Sequence, residues 1–100
     1  MNSQSSRAGS TGRRSQLETI CDILAAVDSG AYKPTRIMQR ANIGWQLLTD
    51  SLEVLTRNGL LVQETSGQRR SYYLTSKGLF ILAEYRQLTE AVGNLLAVQV

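Results

Sequence analysis

The sequence predicts a mainly α-helical fold with a small β-hairpin, in the order helix, short helix, helix, hairpin, long C-terminal helix. Three observations predict it. Apolar residues recur at three- and four-residue steps in four stretches, as they do in helices that bury one face. Between the third and fourth stretches, residues 60–74 hold two runs suited to a pleated strand, separated by Ser66-Gly67-Gln68. Gly30, Pro34, Gly44 and Gly59 fall at the joints, where glycine's conformational freedom and proline's fixed φ punctuate a helical chain. A chain of 100 residues, 42% of them hydrophobic, builds one modest core.

Residues 1–12 (MNSQSSRAGSTG) are rich in Ser and Gly with almost nothing apolar to offset the entropy of ordering, so a flexible basic tail is expected there. Leu17, Ile20, Cys21, Leu24 and Val27 then mark one face of a helix over about 14–29, which Ser29-Gly30 ends. Pro34-Thr35 is a start signal, with Thr35 as the expected cap, for a short helix over 35–41 that turns Ile37, Met38 and Ala41 inward. Asn42-Ile43-Gly44 is the turn: Asn42 and Gly44 both accept positive φ while Ile43 plugs the core. Leu48, Leu52 and Leu55 define a helix over 45–58, closed by Asn58-Gly59. The hairpin strands are Leu60 to Thr65 and Arg69 to Leu74, and Thr75 caps a last helix running from Ser76 to about 97. In it, Ile81, Tyr85, Leu88, Val92 and Leu95 take the alternating four- and three-residue steps of a coiled-coil seam. Leu79, Phe80 and Leu82 are expected to pack its first turns onto the core. The expected division is a globular domain over 13–78 and a dimerisation helix over 79–100.

The chemistry available narrows the function. Histidine is absent, which removes the commonest general base and the commonest transition-metal ligand together. With no phosphate-cradling glycine loop either, the expectation is a non-enzyme without metal or cofactor. No apolar run approaches the roughly 18 residues that span a membrane, and the polar N-terminus lacks an apolar signal region. An intracellular, cytoplasmic protein is therefore expected. Cys21, the lone cysteine, suits a small core residue, with a redox sensor as the sharper alternative. The net charge of +3 resides in the first residues, where Arg7, Arg13 and Arg14 have no acid beside them. In the balanced remainder, Lys33, Arg36 and Arg40 share one acid-free stretch and Arg69, Arg70 and Lys77 another, while Glu18, Asp22 and Asp28 gather in residues 17–30. Such sorting points to one basic face.

Helix, short helix, three-residue turn, helix, hairpin, helix is the order of a winged helix-turn-helix, here followed by a long C-terminal dimerisation helix. In Ile43-Gly44-Trp45, in Leu48, Leu52 and Leu55, in Asn58-Gly59-Leu60-Leu61 and in Tyr73-Leu74-Thr75-Ser76-Lys77-Gly78, the chain resembles the small archaeal and archaeal-virus winged-helix proteins. These include the archaeal 10-kDa DNA-binding proteins that dimerise through a C-terminal antiparallel coiled coil. The resemblance runs from Leu17 to about Leu96 and implies DNA binding by a dimer, either sequence-tolerant or operator-specific.

Independently of that likeness, placing Leu48, Leu52 and Leu55 inward turns Trp45, Gln46, Thr49, Asp50 and Glu53 outward, at about 100° per residue. Gln46 can pair with adenine, Thr49 can meet a thymine methyl or a phosphate, and Trp45 can pack on sugar or staple the turn. Asp50 and Glu53 oppose a polyanion, so affinity is expected from flanking cations: Arg13, Arg14, Lys33, Arg36, Arg40 and the wing pair Arg69-Arg70. The expected partners are double-stranded DNA and a second copy of the chain, the latter through Ile81, Tyr85, Leu88, Val92 and Leu95. The alternative is a winged helix used as a protein interaction module, which the two carboxylates favour.

Overall fold

The first helix, α1 (Gln16–Asp28), starts where two side chains satisfy its free amides. Glu18 N–H donates to Ser15 Oγ at 3.1 Å and Ser15 N–H donates to Glu18 Oε1 at 2.9 Å, a capping box. The structure, a computed structural model, describes residues 15–98, so the expected tail and Arg7, Arg13 and Arg14 lie outside it. Within α1, Thr19, Cys21, Ile23, Leu24, Ala26 and Val27 are buried, which makes it the central element of the core. Leu17, expected on the same face, is exposed in the first turn. Ser29-Gly30 ends the helix as expected, with Gly30 at φ 106°.

Helix α2 (Pro34–Ala41) begins one residue earlier than the sequence suggests, with Lys33 at the cap position and no side-chain cap. Pro34 explains the shift: it has no N–H to satisfy and its φ is already helical, so Thr35 falls inside the first turn. Asn42 takes the left-handed conformation at φ 58° and Ile43 packs against the core. Gly44 does not follow expectation. Its backbone is extended (φ −76°, ψ 165°) and a side chain there would meet open space, so Asn42 alone makes the reversal. Helix α3 (Trp45–Arg57) follows, burying Leu48, Leu52 and Leu55.

Strands β1 (Leu61–Ser66) and β2 (Arg69–Leu74) pair antiparallel from Leu61↔Leu74 to Ser66↔Arg69, and Gly67, at φ 64°, turns the chain. The hairpin is fastened to the loop before α2, where Tyr72 N–H donates to the Tyr32 carbonyl at 2.9 Å and the Tyr32 and Tyr73 rings lie 4.8 Å apart. The long helix α4 (Ser76–Val98) buries Leu82 in the core. Leu79 and Phe80, expected beside it, are 50% and 63% exposed. Helical periodicity is the reason: with Gly78 and Leu82 facing the core one turn apart, Phe80 lies on nearly the opposite side.

The joint between α3 and α4 explains why Asn58-Gly59-Leu60-Leu61 and Thr75-Ser76-Lys77-Gly78 occur together. The last carbonyls of α3, those of Val54, Leu55 and Thr56, take the amides of Asn58, Leu60 and Gly59, so the carbonyls of Asn58, Gly59 and Leu60 need donors from elsewhere. Here Lys77 Nζ donates to the Asn58 carbonyl at 3.0 Å, the Thr75 hydroxyl donates to the Gly59 carbonyl at 2.5 Å, and Thr75 N–H donates to the Leu60 carbonyl at 3.1 Å. The same hydroxyl caps α4 by accepting from Gly78 N–H at 3.0 Å. Gly59 supplies the required φ of 78°. Gly78 is required for a different reason, since a Cβ there would overlap the Leu60 carbonyl oxygen. Gly93 has open space around it and sits on the line of Leu82 and Thr89, beside the apolar seam. Gly78→Ala is therefore expected to lower stability by about 2 kcal/mol, whereas Gly93→Ala raises it by up to about 1 kcal/mol. Urea unfolding of both variants checks the opposite signs.

Candidate nucleic-acid interface

Gln46, Asp50, Glu53 and Arg57 form the outermost line of α3, each one helical turn or nearly so from the next. They are tied in pairs. Gln46 Nε2 donates to Asp50 Oδ1 at 3.0 Å, and Arg57 Nη2 meets Glu53 Oε2 at 3.1 Å, both on the exposed surface. Thr49 is half-buried beside this line, and its hydroxyl donates to the Gln46 carbonyl at 3.0 Å. That bond leaves the methyl group as its outward chemistry. Trp45 is 49% exposed at the start of the helix, so its ring neither leaves the domain nor joins the core.

The hairpin faces α3 across a groove of about 430 Å³. Alternation along paired strands decides which wing residues enter it. Gln63, Tyr72 and Arg70 line the groove opposite Trp45, Thr49, Glu53 and Arg57. Thr65 and Arg70 are paired, as are Ser66 and Arg69, so Arg69 stands on the other face of the ribbon. The neighbours Arg69 and Arg70 are thus separated by the sheet. Tyr72 Oη donates to Gln63 Oε1 at 3.1 Å, which stiffens the groove's floor.

The remaining predicted cations are spread around this site. Arg36 and Lys33 are exposed on and beside α2. Arg40 is exposed too, but its Nη1 donates to Ser29 Oγ at 2.6 Å and to the Ser29 carbonyl at 3.3 Å, bracing α2 against the end of α1. Trp45, Thr49 and Arg70 are brought together, while Gln46 lies outside the groove on the outer line of α3; Arg69 and the α2 cations flank them, and Arg13 and Arg14 are outside the described residues. Sequence reasoning missed Arg57, Gln63 and Tyr72. Arg57 was legible as the next residue on the Gln46-Asp50-Glu53 line, whereas Gln63 and Tyr72 needed the strand register.

Two other features bear on function. Gln16, Thr19 and Ile20 of α1 and Leu47, Asp50, Ser51 and Val54 of α3 line a second groove, where Leu47 and Val54 remain 48% and 43% exposed. Along α4, Ile81 packs against the core and Tyr85 is half-buried, while Leu88, Val92 and Leu95 are exposed. Cys21 is buried, and burial, helped by Asp22, pushes its thiol pKa above the ordinary value. A buried, protonated thiol is a core residue and a poor redox sensor.

A short helix and a protruding one joined by a tight turn, backed by α1 and flanked by a hairpin, define a winged helix-turn-helix fold. The chain belongs to the winged helix-turn-helix family, whose profile matches residues 13–92. It is 28% identical over 82 residues to an uncharacterized protein of Methanocaldococcus jannaschii, covering 82% of this chain and 80% of that protein. Its fold matches that of Sso10a-2, a DNA-binding protein of Sulfolobus solfataricus, with a TM-score of 0.75 at 24% identity, over 86% of this chain and 90% of that one. A MepR mutant of Staphylococcus aureus bound to an oligodeoxyribonucleotide matches with a TM-score of 0.65 at 16% identity, over 86% of this chain and 65% of that one. These likenesses to solved structures are likenesses of fold.

Proposed function

We propose that the chain binds double-stranded DNA as a homodimer and acts as a transcription regulator or chromatin-associated protein in the cytoplasm. The observation that carries this reading is the groove between α3 and the wing, which places Arg70 opposite Trp45 and Thr49. In this reading α3 enters the major groove, Gln46 and Thr49 meet base edges, and residues 66–71 of the wing lie on the backbone or minor groove. Because α3 carries Asp50 and Glu53 against the single cation Arg57, affinity comes from the flanks: Arg70 first, then Arg36, Lys33, Arg40, Arg69 and the N-terminal Arg13 and Arg14. That Sso10a-2 is a DNA-binding protein and that a MepR mutant is bound to an oligodeoxyribonucleotide supports the same direction. The family resemblance and the absence of histidine support a role without catalysis.

Dimerisation rests on α4. Its 23 residues make a rod of roughly 34 Å, longer than one small domain needs. Leu88, Val92 and Leu95 are 59%, 45% and 63% exposed along one seam, an arrangement that a second copy covers. A second reading, a protein interaction module, is favoured by the apolar groove at Ile20, Leu47 and Val54 with Asp50 at its edge.

Titration against duplex DNA at two salt concentrations is expected to show binding that weakens steeply with salt; no salt-dependent binding near physiological ionic strength sinks the reading. Arg70→Ala is expected to reduce affinity severalfold and lower the salt slope by about 1, with a smaller effect for Arg69→Ala. Leu88→Asp is expected to give monomers by light scattering and weaker DNA binding together, and a variant that remains dimeric removes the seam from the interface.

A further inference from the structure

The carboxylates of α3 are the feature least suited to DNA, and one of them holds the side chain best suited to reading a base. We propose that Asp50 is a positioning residue that fixes the Gln46 amide in the orientation that selects adenine. The inference rests on the DNA-binding reading above and goes beyond it by naming what sets base preference.

The geometry follows from the inventory of the amide. Gln46 Nε2 carries two hydrogens, and one is donated to Asp50 Oδ1 at 3.0 Å. With the hydrogen given to Asp50 being the one anti to Oε1, the second hydrogen and the Oε1 acceptor are left to a base, a donor and an acceptor side by side. Adenine offers the complement in the major groove, N7 as acceptor and N6–H as donor. Guanine offers two acceptors there, N7 and O6, so the held Oε1 faces an oxygen. A Gln46 released from Asp50 can rotate and present its NH₂ group to both guanine acceptors; the bond to Asp50 removes that pose. Thr49 supports the arrangement, because its hydroxyl is engaged on the Gln46 carbonyl at 3.0 Å and presents a methyl group to the next base. Asp50 is one helical turn from Gln46, and the other carboxylate, Glu53, is engaged by Arg57 at 3.1 Å, so no neighbouring cation of α3 competes for Asp50.

Charge and positioning are separable by substitution. Asp50→Asn keeps an Oδ1 acceptor for Gln46 and removes the charge that repels phosphate; Asp50→Ala removes both. The experiment measures affinity of the full-length chain for duplexes selected from a random pool and then altered base by base. The wild type is expected to prefer adenine over guanine about tenfold at one position of the site. Asp50→Asn keeps that preference and binds all sequences more tightly at low salt. Asp50→Ala also binds more tightly, but its preference falls to within about twofold, as does that of Gln46→Ala, and the double variant is no less selective than Gln46→Ala alone. An Asp50→Ala variant with wild-type preference overturns the proposal, as does a wild type that binds every sequence equally. Both outcomes leave duplex binding intact, whereas a wild type with no affinity for duplex DNA overturns the binding reading itself.

Discussion

Three successive carbonyls just beyond α3 constrain this fold more than any other groups. Those of Asn58, Gly59 and Leu60 lie past the last helical residue and have no amide of α3 to pair with; they receive Lys77, the Thr75 hydroxyl and the Thr75 amide. The amides of Asn58, Gly59 and Leu60 terminate α3, and one cluster on their carbonyls sets the point at which β1 begins and caps α4. The close passage of Gly78 over Leu60 leaves no slack in it. Because the hairpin leaves and returns through this joint, the distance between the wing and α3 is set there. The tether of Tyr72 to Tyr32 holds the other side of the hairpin.

The outermost line of α3 has each of its two carboxylates engaged, Asp50 by the neutral Gln46 amide and Glu53 by Arg57, so the charge of Asp50 remains. Exposed pairs of this kind contribute little to stability, so their consequence is orientation of side chains rather than folding energy. Positive charge comes from the hairpin and α2, outside the helix proposed to read bases. In the proposed function that arrangement gives non-specific attraction to one set of residues and discrimination to another.

Much of this was legible beforehand because helices and hairpins announce themselves through periodicity. Leu48, Leu52 and Leu55 oriented α3, and Gly30, Asn42 and Gly59 marked reversals that the backbone makes with positive φ. The misreadings have local causes. Thr35 looks like a cap only until Pro34 is recognised as the first helical residue, and Phe80 looks like core only while apolar content is counted without its angle around the helix. Arg69 and Arg70 read as a pair because adjacency in sequence hides the alternation of a strand, and the turn's exact length decides which of them faces α3. The Asp50–Gln46 bond was hidden in a similar way: a carboxylate near DNA reads as repulsion until its partner one turn away is seen.

In the proposed function the chain meets duplex DNA through α3 and the inner face of the wing. The most direct measurement is backbone amide chemical shift on titrating a duplex into the isotopically labelled full chain. The largest changes are expected at Gln46, Thr49, Arg57 and Arg70, with Thr19 and Ile20 nearly unmoved. Largest changes at Thr19, Ile20 and Val54, or no changes at all, would contradict that mode of binding.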